Sequence, residues 1–152
     1  MIQATIRPAS MGDAEALHRH CYPDATLDTV RDYLAWCLRQ TPKGRIVRLV
    51  ADVEGQAVGN VQLTVWGSVG EIGSLVVGEG FRRRGLARLL LTTAMEEARR
   101  RGLEVVEIAV RSGEAGPLAL YQSLGFELAW DAKKELSHSR SPVPILLLRM
   151  QL

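Results

Sequence analysis

The run Arg82-Arg83-Arg84-Gly85-Leu86-Ala87-Arg88 gathers the groups that hold phosphate. It follows a short apolar stretch, Leu75-Val76-Val77, and leads into a long helical pattern. A strand that ends in a Gly/Arg turn and feeds a helix leaves main-chain N–H groups unpaired where the helix dipole is positive. A glycine at that point lets an anion approach the backbone closely. The spacing Arg82-x-x-Gly85-x-Ala87 is neither the dinucleotide fingerprint nor the Walker loop, since it lacks their glycines and the Gly-Lys-Ser/Thr ending. Three histidines, His18, His20 and His138, have no metal or triad spacing, so no metal is expected.

The elements that must position this turn follow from periodicity. Residues 4–7 alternate and stop at Pro8, a first strand. Ser10 or Asp13 caps a helix carrying Ala14, Leu17 and Cys21, and a second helix spans 28–39 with Val30, Leu34 and Cys37/Leu38 at helical spacing. Strands at 45–52 and 56–66 read as a hairpin, with Gly59 a candidate bulge. The strand 71–77 precedes the turn, and by strand period it sets Glu71, Gly73, Leu75 and Val77 on one face. The long helix covers 85–101, with Glu96–Arg100 and Glu97–Arg101 as outward pairs and Gly102 as its C-cap. A strand at 105–110, a short helix at 117–124 and strands at 126–131 and 145–150 complete the order. Strands and helices so interspersed predict an α/β fold of the α+β type: a mixed sheet with helices on both faces.

Length and composition agree. At 152 residues, with 47% hydrophobic and 24% charged residues, the chain reads as one domain, 1–152, with room for a sizeable core. No apolar run approaches a membrane span and no signal-peptide form opens the chain, which predicts a cytoplasmic protein without a membrane partner. A net charge of +2, with arginine triplets lacking interleaved aromatics, argues against a nucleic-acid partner. Cys21 and Cys37 are expected to be free, reduced thiols.

Two blocks carry a family resemblance. Arg82-x-x-Gly85-x-Ala87 resembles the pyrophosphate motif Gln/Arg-x-x-Gly-x-Gly/Ala of the GNAT superfamily of N-acetyltransferases, and Leu120-Tyr121-Gln122-Ser123-Leu124-Gly125-Phe126 resembles its Leu-Tyr-x-x-Leu-Gly-Phe pattern. Element order and Ile6-Arg7-Pro8-Ala9 extend the likeness to the N-terminal third. The resemblance implies the GNAT fold with a mostly antiparallel mixed sheet, acetyl-CoA as co-substrate, and acetyl transfer to an amine by direct attack in a ternary complex. Homodimers are frequent among similar proteins. A CoA-binding module without catalysis, a sensor, is the alternative.

The resemblance also implies residue roles. Backbone amides of Arg82, Arg83, Arg84, Gly85, Leu86 and Ala87 wrap the pyrophosphate, while Arg88 reaches a CoA phosphate or is simply solvated. Leu75, Val76 and Val77 lie beside the pantetheine arm, Leu75 presenting its N–H to the acetyl carbonyl and Val77 pairing with the arm. Tyr121 is the acid for the leaving thiolate or else an aromatic anchor for its helix. Glu71 stands where related acetyltransferases carry a glutamate base, or is an exposed carboxylate at a strand start. Two departures stand out. Arg83 replaces a common glycine, tolerated if its φ stays negative. Glu114 replaces an asparagine that bonds the cofactor arm, and a carboxylate cannot donate that bond.

Overall fold

The computed structural model describes residues 3–111, 115–131 and 145–152. Strand β1 (Thr5–Pro8) leads through a capping box into α1 (Ala14–His20). There the Ser10 N–H donates to the Asp13 carboxylate at 2.8 Å, which also takes two hydrogen bonds from Arg7. Helix α2 (Leu27–Gln40) starts at Thr26, whose hydroxyl accepts from the Thr29 N–H. Strands β2 (Ile46–Val53), β3 (Gln56–Trp66) and β4 (Val69–Val77) form a meander. Then come α3 (Leu86–Arg100), β5 (Val105–Arg111), α4 (Ala115–Ser123), β6 (Glu127–Asp131) and β7 (Ile145–Gln151). The sheet order is β1-β2-β3-β4-β5-β7-β6, antiparallel everywhere except between β4 and β5.

Register assigns the two faces. One carries Leu49, Val61, Leu63 and Ile72 and is covered by α3 through Leu86, Leu90, Leu91, Ala94 and Ala98. The other carries Val50 and Ala57 and is covered by α1 and α2 through Ala14, Leu17, Val30 and Leu34. Helices therefore lie on both faces of a mixed sheet, as the element order predicts. The 3.6-residue period of α3 drives this, since its buried positions recur at the three- and four-residue steps of one stripe.

Two local expectations change. Arg100 pairs with Glu97 rather than Glu96, so Glu97 serves both Arg100 and Arg101. The strand period that set Glu71, Gly73, Leu75 and Val77 on one face is broken by a bulge. Asn60 pairs with Val76 and Gln62 with Gly73, so Ser74 and Leu75 together oppose the single residue Val61. Ser74 absorbs the extra residue at φ 51°. Beyond it the alternation is reversed: Val76 joins the face of Glu71 and Gly73, and Val77 joins that of Ile72.

Candidate active site

Strand β4 is paired to β5 only over Val69–Ile72, which faces Val105–Ile108. Beyond that point β5 continues beside β7 while β4 has no partner on that side among the described residues. The two parallel strands part there, and residues 73–77 of β4 present an open edge to the gap. Leu75, Val76 and Val77 occupy that edge. An unpaired strand edge offers outward N–H and C=O groups that an extended ligand can complete.

The same strand runs directly into the turn. Gly85 is the N-cap of α3 at φ 80°, a left-handed conformation that costs a side-chain-bearing residue about 1–2 kcal/mol. A side chain there would meet no neighbouring atom within 4 Å, so the requirement for glycine lies in the backbone angle. The first backbone donor in the helix is Leu89, whose N–H reaches the Gly85 carbonyl at 3.0 Å. The N–H groups of residues 82–88 have no backbone acceptor among the described residues. A cavity of about 390 Å³ lies at this turn, lined by Val77, Arg82, Arg83, Gly85, Leu86, Ala87 and Arg88 but not by Arg84. A row of unsatisfied amides at a helix head beside an open strand edge fits a diphosphate with an extended arm.

The arginine side chains contribute less to this cavity than their number implies. Arg82 turns back and donates from Nε to the Val77 carbonyl at 2.9 Å, tying turn to strand. Arg88 donates to Ser123 Oγ at 3.0 Å on the surface, bracing α3 against α4. Arg84 is exposed. Arg83 adopts φ 63°, so the condition of a negative φ is not met and the position carries the strain a glycine would relieve.

Tyr121 lies in α4, 7% exposed, with its ring edge-on to Phe126 at 6.2 Å. Its neighbour Leu120 lines the phosphate-side cavity. Glu71 sits apart, on the paired half of β4. It is exposed and accepts a hydrogen bond from Trp66 Nε1 at 2.8 Å. Four residue steps along the strand, about 12 Å, separate it from Leu75. Glu114, His138 and the 132–144 loop fall outside the described residues. His18 is hydrogen-bonded to the Ala25 carbonyl and His20 packs on Phe81. No group of metal-binding side chains occurs among the described residues. Both cysteines are free, and burial pushes the Cys21 thiol up to about 11 and raises that of Cys37, which keeps them protonated.

On the opposite face the structure reveals a polar layer that the motifs do not mark. Arg48, Asn60 and Gln62 are buried beneath α1 and α2, with Tyr22 and Tyr33 above them. Asn60 Nδ2 donates to the carbonyl of Ser74 at 3.2 Å, so this layer reaches the bulge beside Leu75. The signal in the sequence is slight: one arginine inside an apolar strand, then two amides at a two-residue step in the next.

Known proteins share this fold. A methionine sulfoximine/methionine sulfone acetyltransferase of Pseudomonas aeruginosa is 28% identical over 143 residues, covering 84% of this chain and 83% of that protein. An uncharacterized N-acetyltransferase of Methanocaldococcus jannaschii is 34% identical over 104 residues, 64% of this chain; the match spans 45% of that relative's length. Among solved structures, a ribosomal-protein-alanine N-acetyltransferase from Brucella melitensis superposes with TM-score 0.80 at 26% identity, covering 97% of this chain and 99% of its own. The sequence profile of the acetyltransferase (GNAT) family matches residues 11–126. That span is well over half of the chain, and it joins the strand, the turn and the tyrosine helix in one profile: the chain belongs to the acetyltransferase (GNAT) family.

Proposed function

We propose that the chain transfers an acetyl group from acetyl-CoA to a primary amine, by direct attack with both substrates bound. The observation that carries this reading is the parting of β4 from β5 after Ile72, directly before the amide-lined turn at the head of α3. Acetyl-CoA supplies an activated thioester. The amides of Arg82 through Ala87 bind its pyrophosphate, and Leu75, Val76 and Val77 take the pantetheine arm as an added strand. The Leu75 N–H is the donor for the carbonyl oxygen, where negative charge develops.

Two side chains handle protons. An alkylamine is mostly ammonium at neutral pH, with a pKa near about 10.4, so a proton must leave before attack. Glu71, lying about 12 Å along the strand, receives it through water rather than by contact. Tyr121 protonates the departing thiolate. Its position in the core beside Phe126 holds the ring in one orientation, which a proton donor needs.

The test is release of free thiol from acetyl-CoA across an amine panel, with CoA binding followed separately. Tyr121→Phe is expected to lower kcat roughly 100-fold, the usual scale of a positioned general acid, with CoA affinity unchanged. Unchanged turnover removes the acid role. Glu71→Gln is expected to shift the rising limb of the pH–rate profile, and an unaltered profile leaves water as the sole acceptor. A sensor that binds CoA without turnover is the second reading. It is favoured by the place of Glu71 on the paired half of β4, apart from the open edge, and it predicts binding with no thiol release for any amine.

A further inference from the structure

Beneath α1 and α2 the sheet holds a positive charge with no negative partner among the described residues. Arg48 is 5% exposed. Its Nη1 donates to Gln62 Oε1 and, weakly, to Cys37 Sγ at 3.9 Å. Its Nη2 donates to the Tyr22 hydroxyl at 3.1 Å and to Asn60 Oδ1. The Tyr33 ring lies 5.3 Å from Cζ, and Nε has no partner. All of these are neutral groups, and no carboxylate pairs with Arg48 among the described residues. The contrast with Arg7 is plain, since Arg7 is more exposed yet shares two carboxylates, Asp13 and Asp52.

A buried cation surrounded only by neutral dipoles is incompletely compensated. Arg48 also lines a cavity of about 190 Å³. Leu17, Val30 and Leu34 form its apolar wall, Tyr22 lies beside the guanidinium, and Ser74 lines it on the far side of Asn60. Ser74 is the bulge residue next to Leu75, and Asn60 bridges it to Arg48 through its two amide ends. One end of the cavity therefore presents a guanidinium and the other adjoins the edge proposed to hold the acetyl group.

Resting on the acetyltransferase reading above, we propose that Arg48 binds a carboxylate of the acceptor, which makes the acceptor a small amino acid with an apolar side chain. A carboxylate takes the donor now given to the Tyr22 hydroxyl, replacing a neutral acceptor by a charge-assisted one. The planar guanidinium suits that anion in a way an ammonium does not. The same charge repels an ammonium, so the acceptor's amino group lies at the Ser74 end, toward Leu75. The side chain fills the wall of Leu17, Val30 and Leu34. A cavity of about 190 Å³ has room for several waters, and so for a small ligand. A peptide N-terminus meets the apolar wall but carries its carboxylate elsewhere.

The experiment compares L-leucine and L-methionine with their amides and with an N-terminal leucyl peptide. Thiol release and the melting shift that each probe causes are both measured on the intact protein. The free acids are expected to show a KM at least tenfold below that of the amides and peptide, and a larger melting shift. Arg48→Met is expected to bring acid and amide to parity, while Arg48→Lys, which keeps the charge, retains part of the preference. Equal KM and equal melting shifts for acid and amide in the wild-type protein overturn the proposal, as does a preference that survives in Arg48→Met. Tighter binding of the peptide than of the free acid likewise overturns it. If no amine is acetylated, the transferase reading fails, and the acid–amide difference in melting shift still decides whether Arg48 binds the anion. The wild-type comparison stands even if Arg48→Met does not fold.

Discussion

The head of α3 and the layer beneath α1 and α2 are built on opposite terms. At the head of α3 the backbone makes the site: the amides of residues 82–88 have no backbone acceptor, and the arginine side chains point to Val77, to Ser123 or into solvent. Beneath α1 and α2 the side chains make it. Arg48, Asn60, Gln62, Tyr22 and Tyr33 form one hydrogen-bonded and cation–π layer around a cavity. A backbone site tolerates many sequences and recognises what the whole family shares. A side-chain site changes with one substitution, and so it can set the acceptor independently of the cofactor.

The comparison breaks most directly at Ala87. It occupies the second position of α3, where proline is sterically tolerated and the missing N–H belongs to no helical hydrogen bond. Ala87→Pro is expected to weaken CoA binding by about 1.5–3 kcal/mol, the scale of a hydrogen bond to a charged group, with little change in melting temperature. Titration calorimetry checks it. Unchanged affinity means the main chain is not what grips the diphosphate.

The layer beneath α1 and α2 depends instead on side-chain pairs that seat α1. Burial opposes ionisation of Asp13, but hydrogen bonds from Arg7 and from the Ser10 amide outweigh it and hold the carboxyl below the usual range. A folded pKa below the unfolded one gives stability that is present above the unfolded pKa, near 4, and is lost as pH falls through the folded pKa. Asp13→Asn is expected to cost about 2 kcal/mol at neutral pH. It should also flatten the acid limb of the stability curve, as read by urea unfolding from pH 7 down to pH 2.

Smaller effects sharpen the contrast within the turn. Arg83→Gly relieves a left-handed residue while freeing the unfolded chain, a net gain of about 0.5 kcal/mol or a degree or two in Tm. CoA affinity should be unchanged. Arg88→Ala removes only an exposed contact to Ser123, and is expected to change CoA affinity by less than about 0.5 kcal/mol. A large loss there would transfer the binding energy from backbone to side chain.

The fold and the turn at the head of α3 were legible because local rules dominate them. The apolar stripe of α3, the glycines at its two ends and the strand before the turn each declare themselves within a few residues. Glu71 shows where this stops. Its type and distance from the turn suited a base on the face of Leu75, yet a single extra residue at Ser74 reversed the alternation between them. A bulge is decided by pairing with β3, and nothing within the β4 sequence marks it. Arg83 is a similar case, since its positive φ comes from closing the turn onto Val77 and not from its own preference.

The sequence alone determined that a strand, a Gly/Arg turn and a long amphipathic helix follow one another, and that a tyrosine-bearing helix comes later. Short-range periodicity and turn chemistry suffice for that. Only the tertiary structure decided where β4 leaves β5, which residues share the face of the bulge, and that Arg48 lies buried among neutral partners. Those facts depend on register between strands and on what packs over them, and both are set by residues far apart along the chain.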